Sequence, residues 1–562
     1  MNLSEFLISL KDKKLNEANG ITEKICGIVN FFESENYTIP DLVVQSDKAE
    51  YGDWQTNFDL ACRVCLMIKN KDINPYTIIE PTCGTGTFIL ASIIVFGDSV
   101  KNIYGIDIYK PYLTQVKFIL LDYALNNPGI ITCKVYLLHQ NVFAFNFERL
   151  RIEKNKDILI IGNPPWVTNS KLSEIGSDNL PPKSNFKNVK GVEAITGKSN
   201  FDIAEFITYQ LLNSFHNLNA YLAFLVKSSV AKNIIYEQGN GKYNIKRFEQ
   251  YTIDAKKEFD VSVPACLFIA EMGTGNAKQC SVRNLYKLDK PYTYGWVNNH
   301  FVSNVEDYSL YSSLDGKCQL VWWSGMKHDC SKVMELEKRN GILYNKLNEA
   351  VNIEPDLVYP ILKSSDLKDE HILSFRKYVI VTQTTTSDDT SRISMYQPLT
   401  YTYLINHSKW FEKRGSIIYK KRSKFCIFGI GEYSFKKYKI AIAGLYKKTT
   451  FSLVSPLEGK PVMLDDTCYM LGFDTYDVAM CFLKILNSSE IQHFLHSLMF
   501  SDAKRSINKD MLMRINLESA IELLYSKKKL TKQEYHMTTI YIKSLNKNKV
   551  KTLDLFADYC VV

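Results

Sequence analysis

An asparagine, two prolines and a tryptophan close the segment Asp157-Ile158-Leu159-Ile160-Ile161-Gly162-Asn163-Pro164-Pro165-Trp166. Strand-favouring apolar residues run through a glycine into the prolines, so Pro164 and Pro165 stop a buried strand near Asn163. At the carboxyl edge of a parallel sheet, such an ending sets a polar side chain and bare carbonyls in the ligand crevice. The Asn163 amide oxygen and the Pro164 carbonyl can accept both hydrogens of an exocyclic amine, and Trp166 offers a flat face to a planar ring. The chemistry this suits is the capture of an amino-bearing base; the plainer reading is a strand followed by a proline turn.

Upstream, Thr77-Ile78-Ile79-Glu80-Pro81-Thr82-Cys83-Gly84-Thr85-Gly86-Thr87-Phe88 reads as strand, glycine-rich turn and helix. Gly84 and Gly86 let backbone approach a ligand at a helix N-terminus. There is no third glycine at dinucleotide spacing and no phosphate-cradling lysine, and Glu80 would repel a phosphate. An acidic residue with glycines suits a cationic nucleoside without phosphate, which is what S-adenosylmethionine is. The next strand ends Tyr104-Gly105-Ile106-Asp107-Ile108. Asp107 stands about twenty residues past the glycines, where a carboxylate grips ribose hydroxyls and Ile108 lies against adenine. Taken alone, Asp107 reads equally well as a solvated loop acid.

These residues need a scaffold, and the pattern from Tyr76 to about Glu271 supplies one by alternating strand and helix, as in a doubly wound α/β sheet. Strands are predicted over 77–79, 102–106, 134–138, 157–161, 220–226 and 265–270, and helices over 86–95, 112–126 and 203–215. The polar stretch between Trp166 and Phe201 reads as a lid or strap. The predicted organisation is an N-terminal helical segment (1–45), a catalytic domain (46–274), a connector (275–345), an α+β module (346–516) and a helical tail (517–562). No internal repeat is found.

The chain has 562 residues, enough for two or three domains, with 46% hydrophobic and 23% charged residues, as in ordinary folded proteins. Its formal charge of +9 leans towards a polyanionic partner. Thirteen cysteines without a regular framework suit a reducing cytoplasm. Cys62 and Cys65, in a helical stretch, read as core packing, and no metal site is expected. No signal peptide or membrane-length apolar run is present, so a cytoplasmic protein without a membrane partner is expected.

Together the motifs resemble those of amino-methylating DNA methyltransferases of the N6-adenine type. Asn163-Pro164-Pro165-Trp166 is similar to their catalytic motif and Glu80-Pro81-Thr82-Cys83-Gly84-Thr85-Gly86 to their cofactor motif. Tyr51 to Asn57 resembles their N-terminal cofactor motif, with Thr56 carried over and Asn57 where proline is usual. Asn141, followed by Val142, stands where an Asp usually meets the cofactor adenine. Asp202 and Phe259 match looser motifs, and Phe259 resembles the aromatic that supports an extruded base. The order of motifs resembles the gamma class of restriction-modification methyltransferases, in which target recognition follows catalysis.

The resemblance covers roughly residues 48 to 271. It implies a Rossmann-like S-adenosylmethionine-dependent methyltransferase domain plus a C-terminal α+β target-recognition domain acting on double-stranded DNA by base flipping, with any cognate restriction endonuclease a separate protein. N4-cytosine methylation, an RNA or protein-glutamine methyltransferase, and an idle DNA-specificity subunit are the competing readings.

One basic run lies in the C-terminal half. Lys409, Lys413, Arg414, Lys420, Lys421, Arg422, Lys424, Lys436, Lys437 and Lys439 are interleaved with aromatics, a density suited to phosphate contacts. A solvated lysine face is the plain alternative. Lys504 and Arg505, with Arg514, form a second basic spot.

Overall fold

The computed structural model describes residues 25–26, 55–127, 129–174, 201–372, 375–420, 422–500 and 506–557. The predicted N-terminal helices, most of the lid stretch, and Lys421, Lys504 and Arg505 lie outside them. The chain divides into two units, Met1–Phe301 and Val302–Val562.

The first unit is built on one sheet of eleven strands: β1 (Ile25–Cys26), β2 (Thr77–Glu80), β3 (Asn102–Asp107), β4 (Lys134–His139), β5 (Ile158–Gly162), β6 (Ala220–Lys227), β7 (Ile245–Ile253), β8 (Ala265–Met272), β9 (Gln279–Asn284), β10 (Tyr292–Val297) and β11 (His300–Val302). Their order across the sheet is β1-β4-β3-β2-β5-β6-β8-β7-β9-β10-β11. Strands β4, β3, β2, β5 and β6 run parallel, and β8 inserts antiparallel between β6 and β7. Parallel strands covered on both faces are apolar throughout. Accordingly, every residue of β2 and β5 is buried. Strand order reverses between β2 and β5, and at such a switch point a crevice opens beyond the carboxyl ends of the strands.

Helices α1 (Phe58–Lys69), α2 (Thr87–Phe96), α3 (Lys110–Asn126), α4 (Ile203–Phe215), α5 (Ser228–Glu237) and the short α6 (Ala255–Phe259) belong to this unit. In α1 the stripe Leu60, Ala61, Val64, Cys65 and Ile68 faces the core. Asn57, at the usual proline position, caps that helix by accepting from Asp59 N at 2.8 Å. The sequence reading missed β7 and α5. The stretch 275–345, read as a connector, is divided between the units: β9 to β11 continue the first sheet, and Val305 onwards lies in the second unit.

The second unit is α+β, with a four-stranded and a six-stranded sheet. Strand β12 (Tyr438–Ala443) lies inside the smaller sheet, and β13 (Met463–Leu464) closes one edge of the larger. Helices α7 (Tyr476–Leu486), α8 (Ser489–Leu498), α9 (Leu517–Ser526) and α10 (Lys532–Ala557) follow. The unit's first and last parts are joined. Gly316 N donates to Arg514 O at 2.8 Å, Asn516 N to Leu314 O at 2.9 Å, and Arg514 forms a two-pronged ion pair with Asp315. Among the described residues, no helix is long and apolar enough to cross a membrane.

Candidate active site

A cleft opens at the switch point between β2 and β5. Thr56, Glu80, Pro81, Thr82, Cys83, Gly84, Asp107, Ile108, Asn141, Val142, Asn163 and Pro165 all line it. Topology explains the convergence: Glu80 ends β2, Asp107 ends β3 and Asn163 follows β5, on three strands whose carboxyl ends point the same way.

The glycine turn is held from below. Cys83 N donates to Ile106 O at 2.8 Å, and Gly86 N to Cys83 O at 2.8 Å. Gly84 (φ +50) and Gly86 (φ +78) are left-handed, a conformation that costs any residue with a Cβ. Gly86 caps α2 but does not line the cleft; a Cβ there would stand 2.7 Å from Val116 Cγ2. Asp107 is pinned at both oxygens, accepting from Gly84 N at 2.8 Å and from Tyr109 N at 2.7 Å. Its carboxylate therefore ties the turn to the next strand. Ile108 beside it is 36% exposed, an apolar face open to a ligand.

Glu80 is 3% exposed, and its Oε2 has no hydrogen-bond partner. Burial first, and then the charge of Asp107, hold its carboxyl well above the usual carboxylate range. Thr82 Oγ1 is likewise buried without a partner. Asn141 caps a short turn, its Oδ1 accepting from Phe143 N at 2.9 Å. The substitution of Asn for Asp thus keeps an acceptor for the turn.

On the other wall, Asn163 and Pro165 line the cleft, whereas Pro164 and Trp166 are buried behind them. Trp166 is 7% exposed, donates from Nε1 to Leu225 O at 3.1 Å, and meets Phe259 edge-on with ring centroids 5.0 Å apart. The two aromatics singled out in the sequence are therefore in contact with each other, and the flat face expected of Trp166 is covered.

Sequence reasoning missed Gln55, Tyr109, Tyr112, Phe143 and Ile207, which also line the cleft. Gln55 Oε1 accepts from Thr85 Oγ1 at 2.9 Å, bracing the glycine turn from outside the sheet. Its place after Asp53-Trp54 and before Thr56 was the available signal.

The basic run does not form one uniform surface. Lys409, Lys413, Lys420, Arg422, Lys424 and Lys437 are exposed. Arg414 is instead an internal strut, donating to the carbonyls of Cys426 (2.8 Å), Lys424 (2.7 Å) and Phe411 (3.2 Å), with its guanidinium 3.8 Å from the Tyr419 ring centroid. Lys436 pairs with Asp474 at 2.7 Å, and Lys424 with Glu412 at 3.2 Å. Lys439 is buried because the strand that carries it is central in its sheet. Arg514 is committed to Asp315.

The comparison that decides the family is one of sequence. Type II methyltransferase M.NspV of Nostoc sp. (strain ATCC 29411 / PCC 7524) is 39% identical over 478 residues, 84% of this chain and 98% of that protein. The chain belongs to the type II methyltransferase family. A second type II methyltransferase, M.VspI of Vibrio sp. (strain 343), is 27% identical over 233 residues, 41% of this chain and 50% of that one. Among solved structures, the Type IIL restriction-modification enzyme MmeI in complex with DNA aligns with a TM-score of 0.49 at 13% identity, over 97% of this chain and 75% of that one. No protein-family model matches.

Proposed function

We propose that this type II methyltransferase transfers a methyl group from S-adenosylmethionine to the N6 amino group of adenine in double-stranded DNA, as the modification enzyme of a restriction-modification system. The observation that carries the reading is the convergence of Glu80, Asp107 and Asn163 on one cleft from three neighbouring strand ends.

The residues fit the cofactor. Glu80 presents a buried carboxylate oxygen without a partner, which a cationic guest would satisfy. Asp107 is oriented by two backbone amides as a ribose-gripping carboxylate would be, with Ile108 exposed beside it for the adenine ring. When bound, S-adenosylmethionine supplies an electrophilic methyl on a sulfonium sulfur. The protein's own part is to position: the Asn163 amide oxygen at the cleft wall accepts one amine hydrogen, the carbonyl of Pro164, whose ring is buried behind that wall, accepts the other, and together they aim the nitrogen lone pair into the cleft.

An adenine inside a duplex is out of reach of this cleft, so the base has to leave the stack. Trp166 and Phe259 are the aromatics that would hold it, and their contact must open to admit a ring. The exposed cations Lys413, Lys420, Arg422 and Lys424 of the second unit supply phosphate contacts in this reading.

Single-molecule sequencing of DNA from cells expressing the chain tests the reading. N6-methyladenine at one sequence context is expected. N4-methylcytosine instead would move the target to cytosine, and an unmodified genome would reject DNA methylation.

A further inference from the structure

We infer that Lys227 is a positioning residue for methyl transfer, acting through Asp202 to fix the segment that leaves the Asn163-Trp166 tetrapeptide. The inference rests on the reading of that tetrapeptide as the amine-holding element. Lys227 is the last residue of β6, and its Nζ lies 2.6 Å from Asp202 Oδ2, with the Asp202 side chain only 9% exposed.

Asp202 sits at a junction. Its Oδ1 accepts from Ala204 N at 3.1 Å and so caps α4. Its backbone bridges antiparallel to Thr168, two residues beyond Trp166. On either side of that bridge, Ile203 N donates to Val167 O at 2.9 Å and Asn169 N to Phe201 O at 3.1 Å. Asn169 closes the zipper by accepting from Phe201 N at 3.0 Å. Two residues before Lys227, Leu225 O accepts from Trp166 Nε1. One strand end thus grips the tetrapeptide twice, directly at Trp166 and through Lys227 and Asp202 at its exit.

A buried ion pair replaced as a whole by neutral groups is often neutral for stability, whereas removing one partner leaves a costly charge. That asymmetry separates positioning from mere support. If Lys227 serves only stability, Lys227→Met combined with Asp202→Asn restores both melting temperature and activity. If it positions, the double variant melts normally and still turns over slowly, because nothing draws Asp202 and the zipper towards β6.

The test uses the full-length chain with duplex DNA and S-adenosylmethionine, and reads steady-state methylation alongside amide hydrogen exchange. Lys227→Met is expected to lower kcat by about ten- to a hundred-fold. KM for S-adenosylmethionine should hold, because Asp202 keeps its cap on α4. The double variant should stay slow, Lys227→Arg should recover most of the rate, and exchange at Asn169 and Ile203 should quicken in Lys227→Met while Gly84 stays protected. Wild-type kcat in either methionine variant, or equal losses in Lys227→Arg and Lys227→Met, overturns the inference. The exchange arm stands apart from activity. A wild-type chain that methylates no DNA would sink the proposed function, yet faster exchange at Asn169 and Ile203 would still support the clasp, and unchanged exchange would overturn it.

Discussion

In the proposed reading Asn163 stands on the amine side of the cleft, at a different strand end from the glycine turn and the Asp107 carboxylate. Asn163→Ala is therefore expected to slow methyl transfer by something on the order of a hundred- to a thousand-fold, the usual cost of losing one oriented polar contact in a transition state. Cofactor affinity measured by calorimetry should stay near wild type. Glu80 makes a pH prediction. Burial and Asp107 raise its pKa in the free protein, and a cation beside it lowers the pKa again, so cofactor binding releases a proton. Affinity should then rise with pH up to the raised pKa of the free carboxyl. Calorimetry in two buffers of different ionisation enthalpy checks the release, which Glu80→Gln should abolish. The residues legible in the sequence were those whose type constrains the backbone, glycine and proline above all, and the acids placed by strand ends. Tyr109, Phe143 and Ile207 carried no such mark, since an aromatic or aliphatic side chain looks the same in a core and in a cleft wall. The burial of Trp166 was hidden for the same reason, because composition says nothing of which neighbour covers a ring.

At the scale of elements, the two glycines of the turn should fail differently. A Cβ at Gly84 would stand 2.9 Å from the exposed, flexible Gln55 side chain, whereas one at Gly86 would meet buried Val116 inside the packing of α2 on α3. Both alanine variants carry a left-handed penalty of about 1–2 kcal/mol. Gly86→Ala adds an overpacking cost of roughly 1–3 kcal/mol and should lower the melting temperature more. Gly84→Ala should mainly weaken the cofactor, as differential scanning and calorimetry together would show. Strand β12 carries a second pH prediction. Burial pushes the Lys439 amine down to about 7, and its Nζ donates to Lys436 O at 2.8 Å. Between that value and the ordinary 10.5 the unfolded chain holds one proton more than the folded one. Stability should therefore rise with pH across this window, by at most about 1.4 kcal/mol per pH unit, and be lowest below it. Lys439→Met should flatten the profile in thermal melts between pH 7 and 10. Parallel strands were legible as unbroken apolar runs, while β7 was lost because Lys246, Arg247 and Glu249 interrupt its pattern and pair along the sheet surface. Lys439 shows the converse: a run of lysines in sequence does not say which of them a central strand turns inward.

At the scale of the whole molecule, the two units divide the expected work, and charge reversal tests the division. Lys420→Glu with Arg422→Glu, both at exposed positions, should weaken DNA binding for every sequence and flatten its salt dependence, since each phosphate contact releases counterions whatever the base. Cofactor affinity should not move, because neither residue lines the cleft. Fluorescence anisotropy at several salt concentrations reads the slope, and an unaltered slope would assign these cations to a solvated face. Arg414 belongs outside this set; its reversal should lower the melting temperature, because the guanidinium holds four backbone carbonyls. The division into units was only half legible, for the alternation of strand and helix announced the first sheet but β9 to β11 extend it past the point where that rhythm stops. The join of Leu314, Asp315 and Gly316 to Arg514 and Asn516 has a genetic consequence. A crossover within that stretch would separate partners that lie some two hundred residues apart in the gene, whereas a crossover just past β11 would pass the remainder of the second unit to a new host in one exchange. If the second unit reads DNA as proposed, a lineage recombining there would trade one DNA specificity for another.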